Sequence, residues 1–196
     1  MGKGAEPRSA REHVLAAEDR FNDAGLAFGH GTDNARDEAV FLVFDALSLP
    51  FNSNDAALDR SLTGLENSAV LRLVDERIES RKPAAYLTGH MGFAGHDFYV
   101  DERVLVPRSP IAELINCEFH PWIDAKSVKR VLEIGTGSGC IALATALALP
   151  HATVDATDIS AAALVVAEQN RTRFAQAANR VRFIEADLFP KSNETY

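Results

Sequence analysis

Val131-Leu132-Glu133-Ile134-Gly135-Thr136-Gly137-Ser138-Gly139-Cys140-Ile141-Ala142 is an apolar branched run, then three glycines at alternate positions, then the start of an apolar helix. Asp158 stands at the end of the next apolar run. A strand, a glycine turn and a helix, with a carboxylate closing the second strand, is an arrangement that takes a nucleoside-containing ligand. Glycine lets the backbone pass close to the ligand, and the carboxylate accepts from ribose hydroxyls. The spacing narrows the choice. A dinucleotide loop reads G-x-G-x-x-G/A, whereas here the order is G-x-G-x-G and Cys140 occupies the place of the third dinucleotide glycine. A phosphate-cradling P-loop needs Lys after its last glycine, and Cys140 is there instead. S-adenosylmethionine, with nucleoside and amino-acid parts and no phosphate, fits better. Asp158 is placed to accept both ribose hydroxyls, and Asp187, closing the third strand, to accept from the adenine amine. The competing reading is a glycine turn in an α/β domain without such a ligand.

Around this stretch the pattern from Val128 onward is strand, helix, strand, helix, strand. Val128 to Ile134, Ala152 to Thr157 and Val181 to Ala186 read as strands; Ser138 to Leu149 and Ser160 to about Gln176 read as helices. Near-continuous apolar strands alternating with helices predict a parallel sheet covered on both faces. Upstream the period is helical. Ser9 to Phe28 carries Val14, Leu15, Ala17, Phe21 and Leu26 at helical spacing. Gly29-His30-Gly31-Thr32-Asp33-Asn34 is a turn in which Asp33 or Asn34 caps a second helix with the stripe Ala39, Val40, Val43, Phe44 and Leu47, stopped by Pro50. Asn52-Ser53-Asn54-Asp55 is a polar loop. A third helix, Glu66 to Arg81, presents Val70, Leu71, Leu73, Val74 and Ile78, and Pro83 blocks its continuation. Tyr86 to Val106 is aromatic, branched and glycine-punctuated, which predicts a β-hairpin turning near Gly95. Pro107-Arg108-Ser109-Pro110 then opens a helix through about Phe119, with Ser109 as cap and Pro110 as its first residue.

The expected architecture is α/β: a helical bundle over residues 1–83, a hairpin linker over 84–108, and an incomplete Rossmann-like sheet of three strands over 109–196. With 28 acidic and 20 basic residues the net charge is -8, which argues against general nucleic-acid binding and leaves room for a basic protein partner. No apolar run is long enough to span a membrane, and Met1 to Pro7 lacks the apolar core of a signal peptide, so the expected location is cytoplasmic. Cys117 and Cys140 alone do not make a disulfide framework or a zinc site.

These residues resemble the class I protein-glutamine methyltransferases. Glu133 to Ala142 is similar to their cofactor loop, and Asp158-Ile159-Ser160 with Ala163, Leu164, Ala167 and Asn170 to their second-strand motif. Arg81 to Gly89, Phe98-Tyr99-Val100 and Val104-Leu105-Val106-Pro107-Arg108 are similar to their interdomain hairpin. Gly29 to Asn34 with Asp37 to Val40, and Pro107 to Ile115, resemble the branch that modifies large-subunit ribosomal protein three. The release-factor branch has an acid after its Pro-Arg-Pro. The resemblance covers about Phe28 to Phe189. It implies S-adenosylmethionine as cofactor, a glutamine side-chain amide as methyl acceptor, a ribosomal protein as partner, and cofactor contacts from Glu133, Gly135, Thr136, Gly137, Ser138, Gly139, Asp158, Ile159, Asp187, Leu188, Pro107 and Arg108. The family's Asn-Pro-Pro-Tyr substrate motif does not occur in this sequence, which resembles the family's N-terminal portion. No catalytic residue is therefore assigned, the chain alone is expected to be inactive, and the first strand's open edge is expected to promote self-association; no metal ligand is assigned either. The nearest alternative is a peptide chain release factor glutamine methyltransferase; alternatives from other classes are a nicotinamide-dependent dehydrogenase and a non-catalytic binding module.

Other residues carry two readings each. Pro107 and Arg108 lie near the cofactor by resemblance, or form a helix start with a surface ion pair. His30 to Asn34 touches a substrate, or is a turn and cap. Phe93, Phe98 and Tyr99 line a site, or pack the hairpin. His90 and His96 lack clustered partners for a metal. Cys140 is a reactive thiol at a helix start, or an inert core residue.

Overall fold

Ser9 starts the first helix of the chain. Its hydroxyl accepts from the Glu12 amide at 3.2 Å, and the Glu12 carboxylate accepts from the Ser9 amide at 2.8 Å. This capping box satisfies two donors that the helix geometry leaves without partners. The structure is a computed structural model that describes residues 9–50, 53, 55–191 and 196. Asn52 and Asn54 of the expected polar loop lie outside the described residues. Two compact units divide the chain, Met1–Thr88 and Gly89–Tyr196.

The first unit is helical. It contains α1 (Ala10–Asp23), α2 (Ala35–Ala46), a 3₁₀ turn (Asp55–Asp59), α3 (Gly64–Ser80) and a short α4 (Ala84–Thr88). Asn34 caps α2 by accepting from the Asp37 amide at 2.9 Å. Thr63 and Glu66 form a second capping box at the start of α3. Val14, Phe21, Leu42, Val43, Val70 and Val74 fill the core. Within it Arg77 of α3 pairs with Glu38 of α2, both side chains 2% exposed. Thr32 donates to the second Glu38 oxygen at 2.7 Å, and Arg77 donates to the Ala27 carbonyl at 3.1 Å. A buried ion pair is tolerated only with such extra hydrogen bonds.

Several boundaries differ from the sequence reading. α1 ends at Asp23, short of Phe28, and Leu15 is exposed. In α2, Phe41 and Leu42 are buried while Val40 is only half-buried. α3 starts at Gly64, two residues before Glu66, and ends at Ser80, with Arg81 as its cap at a left-handed φ of 57° and the Arg81 guanidinium donating to the Ala24 and Gly25 carbonyls. Tyr86 to Thr88 is helical, not extended: Pro83 opens a turn whose carbonyl accepts from the Tyr86 amide at 3.0 Å.

The second unit begins with an antiparallel hairpin, β1 (His90–Phe93) and β2 (His96–Tyr99). Ala94 and Gly95 both have positive φ, the two-residue turn whose twist suits a hairpin. α5 (Ile111–Asn116) follows. It stops short of Phe119 because Glu118 and Phe119 take left-handed φ, and Pro110 precedes the helix rather than starting it. Then come β3 (Arg130–Ile134), α6 (Cys140–Ala148), β4 (Thr153–Asp158), α7 (Ala161–Arg173) and β5 (Val181–Glu185). The three strands are parallel in the order β3-β4-β5, the order that the resemblance implies. Among the described residues no strand pairs with the other edge of β3.

β4 is not wholly apolar. Asp155, 3% exposed, accepts from Arg182 at 2.6 and 2.7 Å, from Arg130 at 3.0 Å and from the Tyr196 hydroxyl at 2.7 Å. The Arg182 hydrogen bonds hold its carboxyl below the usual range. Val154, Ala156, Leu143, Ala146, Phe98 and Val181 form the core of this unit.

Gly139 is where the turn meets this core. At φ +77°, a methyl placed there would lie 2.7 Å from Phe183 Cζ and 3.1 Å from the Ala167 methyl. Gly135, at φ +75°, has no atom within 4 Å of the same position. Gly139→Ala is expected to cost about 2–4 kcal/mol through strain plus overpacking, and Gly135→Ala about 1 kcal/mol through strain alone. Chemical denaturation of both variants checks this; equal losses would remove the packing role of Gly139.

Candidate functional site

The turn between β3 and α6 is shaped by acceptors on β4. The Thr157 carbonyl accepts from the Gly135 amide at 2.8 Å and the Thr136 amide at 2.9 Å. Asp158 Oδ2 accepts from the Gly137 amide at 2.9 Å, and Oδ1 from the Ser160 amide at 2.9 Å. The Gly139 amide donates back to the Thr136 carbonyl at 3.0 Å. The amides of Gly135, Thr136, Gly137 and Gly139 are therefore turned into the protein. The glycines do not all serve one purpose: a Cβ on Gly135 or Gly137 would face open space, whereas Gly139 permits close packing of α6 on α7 and β5.

A cleft of about 400 Å³ opens above the turn. Of the residues expected from the sequence, it brings together Glu133, Gly135, Thr136, Gly137, Ser138, Asp158, Pro107 and Arg108. It does not include Gly139, Ile159, Asp187 or Leu188. Ile159 is exposed beside Asp158. Leu188 is exposed, and its carbonyl accepts from the Thr157 hydroxyl at 2.7 Å, which ties the end of β5 to the strand that shapes the turn. Asp187 borders a separate depression with Arg182, Glu185 and Phe189. The cleft also takes residues that the sequence reading did not assign to it: Arg103, Leu105, Ser109, Ile141, Ser160 and Ala163. The strap from Arg103 to Ser109 has no regular secondary structure, so no periodicity marked it.

Two carboxylates give the cleft its electrostatics. Glu133, half-buried at the end of β3, accepts from the Thr136 hydroxyl at 2.9 Å. Burial pushes its carboxyl up to about 7, helped by the nearby negative charge of Asp158. At the rim, Arg103 is held by Asp101, whose carboxyl lies well below its usual range for that reason. Cys140 lines the cleft, but burial raises its thiol to about 12, which is the inert reading. Phe93 both lines the cleft and packs edge-on against Phe98 at 6.4 Å, so its two readings hold together. Phe98 is fully buried and stacks on Phe174 at 4.9 Å. His90 pairs with Asp97 at 2.8 Å, and His96 packs on Phe98 and Phe174. Among the described residues no group of His, Cys, Asp and Glu is placed to hold a metal, and no helix is long and apolar enough to cross a membrane. In the first unit, Gly29 to Asn34 forms a turn and cap: the Gly29 amide donates to the Thr32 carbonyl at 2.7 Å.

Comparison with known proteins gives this cleft its context. A family model described as "Methyltransferase small domain" matches residues 119–196. The ribosomal protein uL3 glutamine methyltransferase of Bordetella pertussis is 46% identical over 185 residues, 94% of this chain and 62% of the relative. The enzyme of the same name from Burkholderia pseudomallei is 48% identical over 183 residues, 93% of this chain and 59% of the relative. Both of these relatives are named as uL3 glutamine methyltransferases, and this chain is shorter than either. It spans about three-fifths of their length. The N-terminal domain of human METTL16, a solved structure, is 17% identical with a TM-score of 0.41, over 79% of this chain and 59% of that one. The helix and strand order of the second unit, with its parallel β3-β4-β5 sheet, is that of a partial class I methyltransferase fold.

The Glu133 carboxyl is expected to titrate near neutrality in the folded chain, read by side-chain carbon NMR. Asp158→Asn should lower that midpoint by removing a like charge. Because the folded midpoint is raised above the ordinary 4.5, the unfolded chain ionises first. Glu133 therefore makes stability fall as pH rises from about 4.5 towards 7, and Glu133→Gln should flatten that slope. A Glu133 midpoint in the ordinary carboxylate range would contradict this account.

Proposed function

We propose that this chain forms the S-adenosylmethionine-binding part of a protein-glutamine methyltransferase whose acceptor is a side-chain amide of ribosomal protein uL3. One observation carries the donor assignment. The amides of Gly135, Thr136, Gly137 and Gly139 already donate to protein acceptors, and Glu133 and Asp158 line the same cleft. A pyrophosphate needs unengaged amides and repels carboxylates. A sulfonium with an ammonium group is cationic and is attracted to them.

The residues fit such a ligand. The space over Gly135 and Gly137 leaves room for a ligand to lie on the turn. Each Asp158 oxygen accepts one amide and keeps further lone pairs for ribose hydroxyls. Ionised Glu133 complements positive charge, so a cationic ligand favours its deprotonation. Pro107 and Arg108 bound the cleft from the strap, while Ile159, Asp187 and Leu188 lie outside it, after the ends of β4 and β5. When bound, S-adenosylmethionine supplies an electrophilic methyl group. The chain's own residues orient the donor and shield it on one side. A glutamine amide nitrogen is a weak nucleophile because its lone pair is delocalised, so transfer relies on positioning and on acceptors for the amide hydrogens. The uL3 acceptor is supported by the names of relatives 46% and 48% identical to the chain. The cytoplasm, where ribosomal proteins are made, is the location in keeping with that substrate.

Calorimetry with S-adenosylmethionine, S-adenosylhomocysteine and NAD tests the donor reading. Binding of the first two, and at least about tenfold weaker binding to Asp158→Ala, is expected from the loss of two hydroxyl acceptors and the Gly137 anchor. Affinity for the cationic donor should rise with pH as Glu133 ionises near 7, and less so in Glu133→Gln. Preference for NAD would replace this reading with a dehydrogenase. Labelled methyl transfer by the full-length enzyme to uL3 and to a peptide release factor decides the acceptor.

A further inference from the structure

Asn170 of α7 is fully buried, lies outside the cleft, and has three hydrogen bonds. Its Oδ1 accepts from the Tyr99 amide at 2.7 Å, and its Nδ2 donates to the Tyr99 carbonyl at 2.9 Å. The other Nδ2 hydrogen goes to the Ser138 carbonyl at 2.9 Å. Tyr99 is the last residue of β2, and both its backbone groups face away from β1 towards α7. The carboxamide offers that strand an acceptor and a donor side by side, as the peptide of an adjacent strand would. It then reaches the glycine turn with the proton left over. Asp at this place would lack both donors, and Leu all three contacts.

The consequence lies beyond Tyr99. The chain continues as the irregular strap that supplies Arg103, Pro107, Arg108 and Ser109 to the cleft. The strap starts from side chains linked to the clamped residue. The Tyr99 hydroxyl donates to Asp101 Oδ2 at 2.8 Å, and Asp101 accepts from the Arg103 amide at 3.0 Å and from Arg103 Nε at 2.9 Å. The Val104 amide donates to the Asp101 carbonyl at 3.1 Å. One buried carboxamide therefore sets the spacing between the floor of the cleft, at Ser138, and its wall, from Arg103 onward.

We propose that Asn170 is a positioning residue for the ligand of this cleft, acting through Tyr99 and Asp101 on the strap and through Ser138 on the glycine turn. The role rests on the reading of the cleft as a methyl-donor site. The test uses the full chain, S-adenosylhomocysteine as probe, and the variants Asn170→Ala and Asp101→Asn, each measured well below its own melting midpoint. Asn170→Ala is expected to raise Kd about tenfold or more, as small displacements of binding groups do, and to speed hydrogen exchange at the Tyr99 and Val104 amides. Asp101→Asn should raise Kd by a smaller factor and leave the Tyr99 amide protected. If Asn170→Ala lowers the melting midpoint but leaves Kd unchanged, Asn170 is merely structural and the proposal falls. Should Asn170→Ala fail to fold, Asp101→Asn decides: an unchanged Kd overturns the proposal and a raised one supports it. If the wild-type chain binds no S-adenosylhomocysteine, the donor-site reading fails and exchange decides the positioning role. Loss of protection in Asn170→Ala reaching Val104 supports it, and loss confined to Tyr99 overturns it.

Discussion

The site depends on the C-terminal end of β4. The Thr157 carbonyl takes two amides of the glycine turn, and the Asp158 carboxylate takes a third. Three donors that would otherwise point into the cleft are thereby turned inwards, and the turn acquires one shape. The same residue that shapes the turn presents its remaining lone pairs to the cleft. Asp158 thus shapes the turn and faces the cleft together, which the strand register makes possible: β3 and β4 run parallel with Ile134 opposite Thr157, so the turn after β3 passes directly over the end of β4.

The surrounding packing serves this geometry. Gly139 admits Phe183 and Ala167 against the start of α6, which brings α7 and β5 close beneath the turn. Asp155 neutralises Arg182 and Arg130 across all three strands. The helical unit uses a comparable device, with Glu38 and Arg77 paired in its core and each further bound by Thr32 or the Ala27 carbonyl. In both units a charge is held inside the protein because more than one partner satisfies it.

Much of the local structure was legible. Asn34, one of two caps that the sequence allowed for α2, accepts from an amide of its first turn. Gly95 marked the hairpin turn, and the alternation from β3 to β5 marked the parallel sheet. What periodicity could not show were ends and exceptions set by distant partners. Arg81 ends α3 because carbonyls after α1 receive its guanidinium. Arg77 and Asp155 are charged yet buried, since their partners come from other elements.

The order of residues by itself determined the strand, glycine turn and helix, and the carboxylate after the next strand. All of these follow from contacts between near neighbours and from what glycine and aspartate can do at a strand end. Only the tertiary structure decided which glycines face the cleft and which pack, that the strap from Arg103 to Ser109 walls it, and that Asn170 joins strap to turn. Those outcomes depend on contacts between residues far apart in sequence, such as Asn170 with Tyr99 and Gly139 with Phe183, whose distances exist only once the chain is folded.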